Sequence, residues 1–460
     1  MRKRILLLTL IVLIFVVASC HGRKFVSNFE MPESFDESRN YELTFWAKND
    51  SNPTQRAVLE KAIADFEEIY PNISIEIGHY SSYPDLYKAV LQNIGTNTTP
   101  NVAVAYPDHV AAYLQNPSLV IRLNELMNHP EYGLGGTKIK FASPTSGDLI
   151  EQYVNEGLVR ADGASYLYTL PFMRSTECLY VNKTWLDNHN ISMPLNNIFT
   201  WDQVWDICRI AEKEDPDMIP LIYQSSDNMF IELAYQYGND YTTVNGDILF
   251  DNYENKKMIQ NLNRIFKEGL FEMKATTGIY PGDRFNLGRT IFGIDSSAGS
   301  TWMGPESPLG AEGLEKFEVV TTTIPQVNVD DPLVISQGPS LCVFNKEDPQ
   351  VVLASWIFLQ FLLTNDVQIG FAKTEGYSPV TTTAINSKEF QDFLVSPDTY
   401  YVQRDAILNV INFKNNTFTT PAFNGSASVR DAVGKIINKA ASNARLDINE
   451  IFKKAMADCR

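Results

Sequence analysis

YLYTLPFMRSTECLYVNKTWL, residues 166–186, carries two strand-like runs about a single proline. Tyr166 to Leu170 is β-rich and meets Pro171, which fixes φ and removes a ladder donor, so a regular strand stops or bends there. Glu177 to Val181 resumes a strand pattern before Asn182, and Lys183 to Leu186 opens a helix. Two such runs around a kink describe one segment passing between two bodies. The polar Arg174-Ser175-Thr176 at the joint is expected to face whatever lies between them, since hinges and ligand sites favour such boundaries.

Working outward toward the N-terminus, Tyr41–Trp46 alternates polar and apolar residues like a strand. Pro53 marks a helix start, and Val58, Leu59, Ala62, Ile63, Phe66 and Ile69 follow at helical spacing. Ile73–Ile77 is a second alternating strand, Tyr83–Ile94 a second amphipathic helix, and Asn101–Ala105 a short buried-type strand. Alternating β-α-β-α-β implies a parallel sheet covered on both faces. Toward the C-terminus, Trp201–Lys213 and Asn255–Phe271 read as helices, Arg289–Asp295 as a strand, and Val319–Ile324 as a returning extended segment.

The chain begins MRKR, runs apolar from Ile5 to Val17 and reaches Ala18-Ser19-Cys20. A basic start, a short apolar core and small residues before the cut describe a secretory signal, shorter than the roughly 20 apolar residues that cross a bilayer. The cysteine after Ala-Ser resembles a bacterial lipoprotein lipobox, implying a leader over 1–19 and acylation of Cys20. Residues 20–40 are polar and unpatterned, as a flexible tether would be. That leaves roughly 420 residues, more than one core organises, so two lobes are expected. The formal charge of −17 argues against nucleic acid, which needs a basic footprint. No CxxC or HExxH occurs, so neither a metal nor a cofactor is expected, and Cys178, Cys208 and Cys342 read as buried thiols.

Six stretches, in order, resemble the extracellular solute-binding proteins of carbohydrate-type ABC importers. They are FEEIYPNISIEI through TTPNVAVAY, LYTLPFMRSTECLYVNKTWL, FTWDQVWDICRIAEK, GRTIFGIDSSAGSTWM, the pair IPQ and ISQGPSLCVFNK, and SWIFLQFLLTNDVQIGFAKTEGYSPV. The resemblance spans nearly the whole chain beyond the leader. It implies an α/β, two-lobed periplasmic-binding-protein fold of type II, with a hinge and an interlobe cleft. Mapped here, lobe one covers 41–172 plus 326–378 and lobe two 173–325 plus 379–460, with Pro171-Phe172 and Thr323–Gln326 as crossovers. It further implies an exported monomer that delivers a sugar or polyol to a membrane permease.

Sugars have apolar ring faces and polar rims, so flat aromatics beside amides, carboxylates and hydroxyls are the residues to seek. Tyr83 stands 17 residues before Pro100, the spacing of a binding tyrosine in glycerol-phosphate-type members of the family; otherwise it is an exposed helix residue. Those members carry a carboxylate after the tyrosine of the next strand, where this chain has Pro107 and then Asp108. Ser175 and Thr176 supply hydroxyls at the crossover, or serve turn chemistry. Ser296, Ser297 and Trp302 follow a strand in a Ser/Gly-rich loop, where Trp302 either stacks on ligand or packs the lobes. Gly338 and Tyr377 match family cleft positions, while Trp46 and Trp201 read as packing. Arg430 matches an arginine of the glycerol-phosphate binders and has the planar fork that suits phosphate; otherwise it pairs with Asp431 or Asp405.

Three functions fit these residues. The first is a binding module without chemistry, closing its lobes on a polyol. The second is a glycoside hydrolase using two of the 55 acidic side chains, although no GxSxG, Walker or dinucleotide motif occurs. The third is a sensor or adhesin on the same fold.

Overall fold

The computed structural model describes residues 29–459 apart from 50, 51, 97 and 162. The leader and Cys20 lie outside the described residues. Two five-stranded sheets organise the chain. The first runs Ile73–Tyr80, Tyr41–Lys48, Val102–Ala105, Ser340–Val343, Leu170–Pro171, and the second Val319–Thr323, Glu177–Asn182, Phe292–Ser296, Leu221–Tyr223, Phe271–Met273. Pro171 is the last residue of its strand, as its missing N–H requires.

The expected β-α-β-α-β unit is present, with Tyr41–Lys48 parallel to both Ile73–Tyr80 and Val102–Ala105. The sheets are mixed rather than purely parallel. Ser340–Val343 joins the first antiparallel, and Glu177–Asn182 pairs antiparallel with both neighbours in the second. These are the strands that enter from the other lobe, and arriving from the opposite side reverses their direction.

Local chemistry fixes the helices that flank the sheets. Asn52 caps Pro53–Ile69 by accepting from the Thr54 and Gln55 backbone amides, and Leu59, Ala62, Ile63 and Phe66 bury one face. Thr200 and Gln203 form a reciprocal capping box that opens Trp201–Glu214. Pro349–Phe361 is apolar all round and buried as the central helix of lobe one, with Trp356 Nε1 donating to the Tyr132 carbonyl at 2.7 Å. Among the described residues, no single helix is long and apolar enough to cross a membrane.

Two boundaries differ from the sequence expectation. Gln326 bridges Thr200, and Ile324 and Ile335 sit in the core of lobe two, so the return crossing falls at 336–339 rather than at Thr323–Gln326. Val380 packs in the core of lobe one and Thr381 bridges Leu149, so the chain stays there beyond 378. The helix Tyr401–Asn412 then packs against Val319–Thr323 of lobe two.

The tether expectation also fails for its described part. Phe29 and Phe35 are buried in the core of lobe one. The Phe35 amide donates to Tyr132 Oη at 2.9 Å, and Arg39 pairs with Asp348 at 2.5 Å. Two phenylalanines, sparse in a polar segment, are enough to dock it.

Candidate functional site

The crossings form a narrow three-stranded hinge. Ser175 exchanges backbone hydrogen bonds with Gln337 at 2.8 and 2.9 Å, and Arg174 does the same with Ser378 at 3.1 and 2.8 Å. Arg174 does not face the cleft. It is buried, pairs with Glu156 at 2.9 Å, and donates to the Met173 and Pro339 carbonyls, locking two crossings together. Gly338 has φ +121°, and a Cβ there would lie 2.3 Å from the Met173 carbonyl oxygen, so only glycine fits. Gly376 likewise lets lobe one touch lobe two, since its Cβ would fall 1.8 Å from the Ser297 carbonyl.

Above this hinge the lobes enclose a cavity of about 780 Å³. Lobe one contributes Lys48 from the end of its first strand, Tyr83 from a helix start capped by Ser82, Tyr106, Glu375 and Tyr377. The Tyr83 and Tyr106 rings meet edge to face with centroids 5.0 Å apart. Lobe two contributes Gln224, Asp295 and Ser296 from strand ends, together with Tyr280, Asp283, Asn286 and Trp302. Trp302 is 49% exposed, unusual for so large an apolar ring. Ser175 and Gln337 form the hinge side.

The electrostatics of the cavity are uneven. Glu375 is well supported, accepting from Asn52 Nδ2 at 2.7 Å and Gln55 Nε2 at 2.9 Å, with Lys48 as the nearby cation. Asp295 accepts from the Ser296 amide at 2.7 Å, and among the described residues no ion pair reaches it. Burial pushes its carboxyl up to about 7, with Lys274 acting weakly in the other direction. Behind the half-buried Asp295 lie two fully buried acids. Glu177, in register with Ser296, accepts from Asn228 Nδ2 at 2.7 Å, and Glu232 accepts from Tyr223 Oη at 2.6 Å. Burial raises both carboxyls.

Of the residues singled out from sequence, Tyr83, Ser175, Ser296, Trp302 and Tyr377 line this cavity. Thr176, Ser297 and Gly338 instead hold the hinge. Thr176 Oγ1 donates to the Ile335 carbonyl at 2.8 Å, and its amide donates to Ser297 Oγ at 3.3 Å. Asp108 and Arg430 lie in a second, smaller pocket of about 450 Å³ that shares Gln224 with the first. There Arg430 Nη2 donates to Asp227 at 2.7 Å and Asn228 at 2.5 Å. Neither expected acid is its partner, because Asp431 pairs with Lys435 and Asp405 with Arg404. Trp46 covers Gly78 and tilts against Tyr80, and Trp201 stacks on Trp205; neither lines the cavity. Sequence reasoning missed Lys48, Tyr106, Gln224, Asp295 and Glu375. Four of these five end or directly follow a strand, and that position was the available signal. Among the described residues no group of His, Cys, Asp or Glu is arranged to hold a metal ion.

Comparison with known proteins bears on this geometry. No curated protein matches the chain. Solved structures that share its fold include maltose-bound MalE3 of T. maritima, with a TM-score of 0.69 and 16% identity over 91% of this chain and 99% of that one. They also include UgpB of Mycobacterium tuberculosis with glycerophosphocholine, with a TM-score of 0.69 and 14% identity over 91% and 98% of the two chains. A Thermotoga lettingae ABC-transporter solute-binding protein with α-D-tagatose gives a TM-score of 0.67 at 15% identity over 91% and 99%. These likenesses establish the two-lobed periplasmic-binding-protein fold. The family model for bacterial extracellular solute-binding proteins matches residues 61–393, which includes the whole second sheet, four of the five strands of the first, the hinge and most of the cavity. With that match across most of its length, the chain belongs to the bacterial extracellular solute-binding proteins, a family of binders rather than enzymes.

Proposed function

We propose that the chain captures a carbohydrate or closely related polyol in the interlobe cavity and presents it, unchanged, to an ABC permease. The exported protein is held at the membrane by acylated Cys20. The observation that carries the reading is the cavity lining. Five aromatic rings (Tyr83, Tyr106, Tyr280, Trp302 and Tyr377) offer flat faces, while Gln224, Asn286, Asp295, Ser296 and Glu375 offer hydrogen-bonding edges. A ligand touching both walls binds the closed form more tightly than the open form, and that difference drives closure. The carbohydrates held by solved neighbours of the same fold agree with this chemistry.

A glycerol phosphodiester is the second reading, favoured by Lys274, Arg430 and Lys435 lining the smaller pocket. Arg430 is already engaged by Asp227 and Asn228, which places the carbohydrate first. Titration calorimetry against mono- and oligosaccharides, polyols and glycerol phosphodiesters tests both. Tight binding of a saccharide recovered intact supports the first reading, and preference for a phosphodiester supports the second. Turnover of the ligand, or no binding across the panel, overturns both.

A further inference from the structure

We infer that the ligand taken by the main cavity carries a basic amine, so that the substrate class is an amino sugar or amino polyol with its ammonium seated at Asp295. The inference rests on the carbohydrate reading above and narrows it.

The cavity lining holds three carboxylates, Asp283, Asp295 and Glu375, against one ammonium, Lys48. Glu375 has Lys48 and two amide donors to itself, and Asp283 is exposed and accepts from the Tyr280 amide at 2.8 Å. Asp295 has one backbone donor and no ion pair among the described residues, yet it faces the cavity. Glu177 and Glu232 behind it are themselves raised by burial and offer no positive charge, and Arg430 is engaged by Asp227 and Asn228. A carboxylate withdrawn partly from water is stabilised more by an opposite charge than by a neutral hydroxyl. Among the described residues no cationic side chain forms an ion pair with Asp295, and Lys274 acts on it only weakly, so the matching cation arrives with the ligand. The surrounding rings suit an ammonium as well as a sugar face, because an aromatic face attracts a cation. An ammonium also matches oxygen acceptors with N–H donors, which a quaternary ammonium lacks.

A proton balance accompanies binding. Asp295 is held up to about 7 by burial, so near neutral pH part of the population carries a proton on that carboxyl. A seated ammonium favours the ionised carboxylate, and the proton leaves to buffer. A neutral polyol produces no such release.

The test uses matched pairs differing only at one nitrogen: glucosamine, glucose and N-acetylglucosamine; galactosamine and galactose; 1-amino-1-deoxysorbitol and sorbitol. Titration calorimetry at pH 7 in two buffers of different ionisation enthalpy reads affinity and proton release together. The expected result is at least tenfold tighter binding of an amine than of its hydroxyl and N-acetyl counterparts, with proton release. Asp295→Asn is expected to reduce that preference to within about threefold. Neutral saccharides binding as tightly as their amines, or without any proton release for the amine, overturn the inference and leave the carbohydrate reading standing. Binding of nothing in the panel overturns both. Because the wild-type preference alone decides, the outcome does not depend on the variant folding.

Discussion

Asp295→Asn replaces a half-buried carboxyl by an amide of the same shape, and its effect on the ligand-free protein follows from the raised pKa. Burial carries the group from 3.8 to about 7. A rise of about three pH units corresponds to roughly 4 kcal/mol by which the folded state disfavours the ionised form. One side of the carboxyl opens to the cavity, so solvent screening trims the figure, and a gain of about 2 kcal/mol is expected for the variant at pH 8. The native pKa exceeds the unfolded one. Between about pH 4 and pH 7 the folded chain therefore holds a proton that the unfolded chain has released, and stability falls as pH climbs through that window. Above pH 7 the folded group has ionised and the penalty is complete.

Urea denaturation at half-unit steps from pH 4.5 to 8.5 measures this. Glu177 and Glu232, also raised by burial, contribute the same sign in both proteins; the Asp295 charge adds to the rise at Glu177, so its loss enters the difference with the same sign. The wild-type curve should fall more steeply than that of Asp295→Asn, with the gap opening toward pH 7 and constant beyond it. The backbone amide of Ser296 still has an acceptor in the variant, because the asparagine carbonyl replaces Oδ1. Parallel curves, or a variant less stable than wild type at pH 8, refute the reasoning.

Other expectations follow from single contacts. Trp302 leaves about half its surface exposed, so a stacked ligand covers roughly 100 Å² of ring, worth about 2 kcal/mol. Trp302→Ala should therefore weaken saccharide binding by roughly 30-fold in calorimetry while the urea midpoint of the free protein hardly moves. Gly338→Ala places a methyl against the Met173 carbonyl at φ +121°; a loss of at least about 2 kcal/mol is expected in urea denaturation, with slower ligand closure in stopped-flow fluorescence. Arg430→Ala leaves Asp227 and Asn228 without their cation, costing about 1–3 kcal/mol of stability. Saccharide affinity should be unchanged, and a fall in saccharide affinity beyond fivefold would contradict the separation of the two pockets.

The fold was readable because its elements repeat a local rule many times. The apolar stripe of Pro53–Ile69, the alternation in Tyr41–Lys48 and the proline at the end of Leu170–Pro171 each state one structural fact and agree with one another. What the local rules do not carry is which long-range partner a segment chooses. Ile324 and Ile335 are apolar residues that suit either lobe, and only the packed lobe-two core fixes their side. Arg174 reads as a cleft residue because it is charged beside a hinge, yet Glu156, distant in sequence, draws it inward. Phe29 and Phe35 look incidental in a polar segment until Tyr132 and the core of lobe one receive them.

The candidate site was half-readable for a related reason. Motif matching finds loop residues, and Trp302 and Tyr377 were found that way, but the polar floor is built on strand ends. Lys48 ends the first strand of lobe one, Tyr106 follows Val102–Ala105, Gln224 follows Leu221–Tyr223, and Asp295 and Ser296 end Phe292–Ser296. In an α/β sheet the carboxyl ends of parallel strands all open on the same crevice, so residues far apart in sequence converge there. Each is unremarkable alone: a lysine, a glutamine or an aspartate after an apolar run reads as an ordinary strand terminus. Taken as a set defined by position, they supply most of the hydrogen-bonding capacity of the cavity. That set also fixes the charge of the cavity, in which Asp295 has no ion pair among the described residues. A strand end that half-buries an aspartate without an ion pair disfavours its ionised form in the free protein, and a cation entering the cavity would favour that form instead.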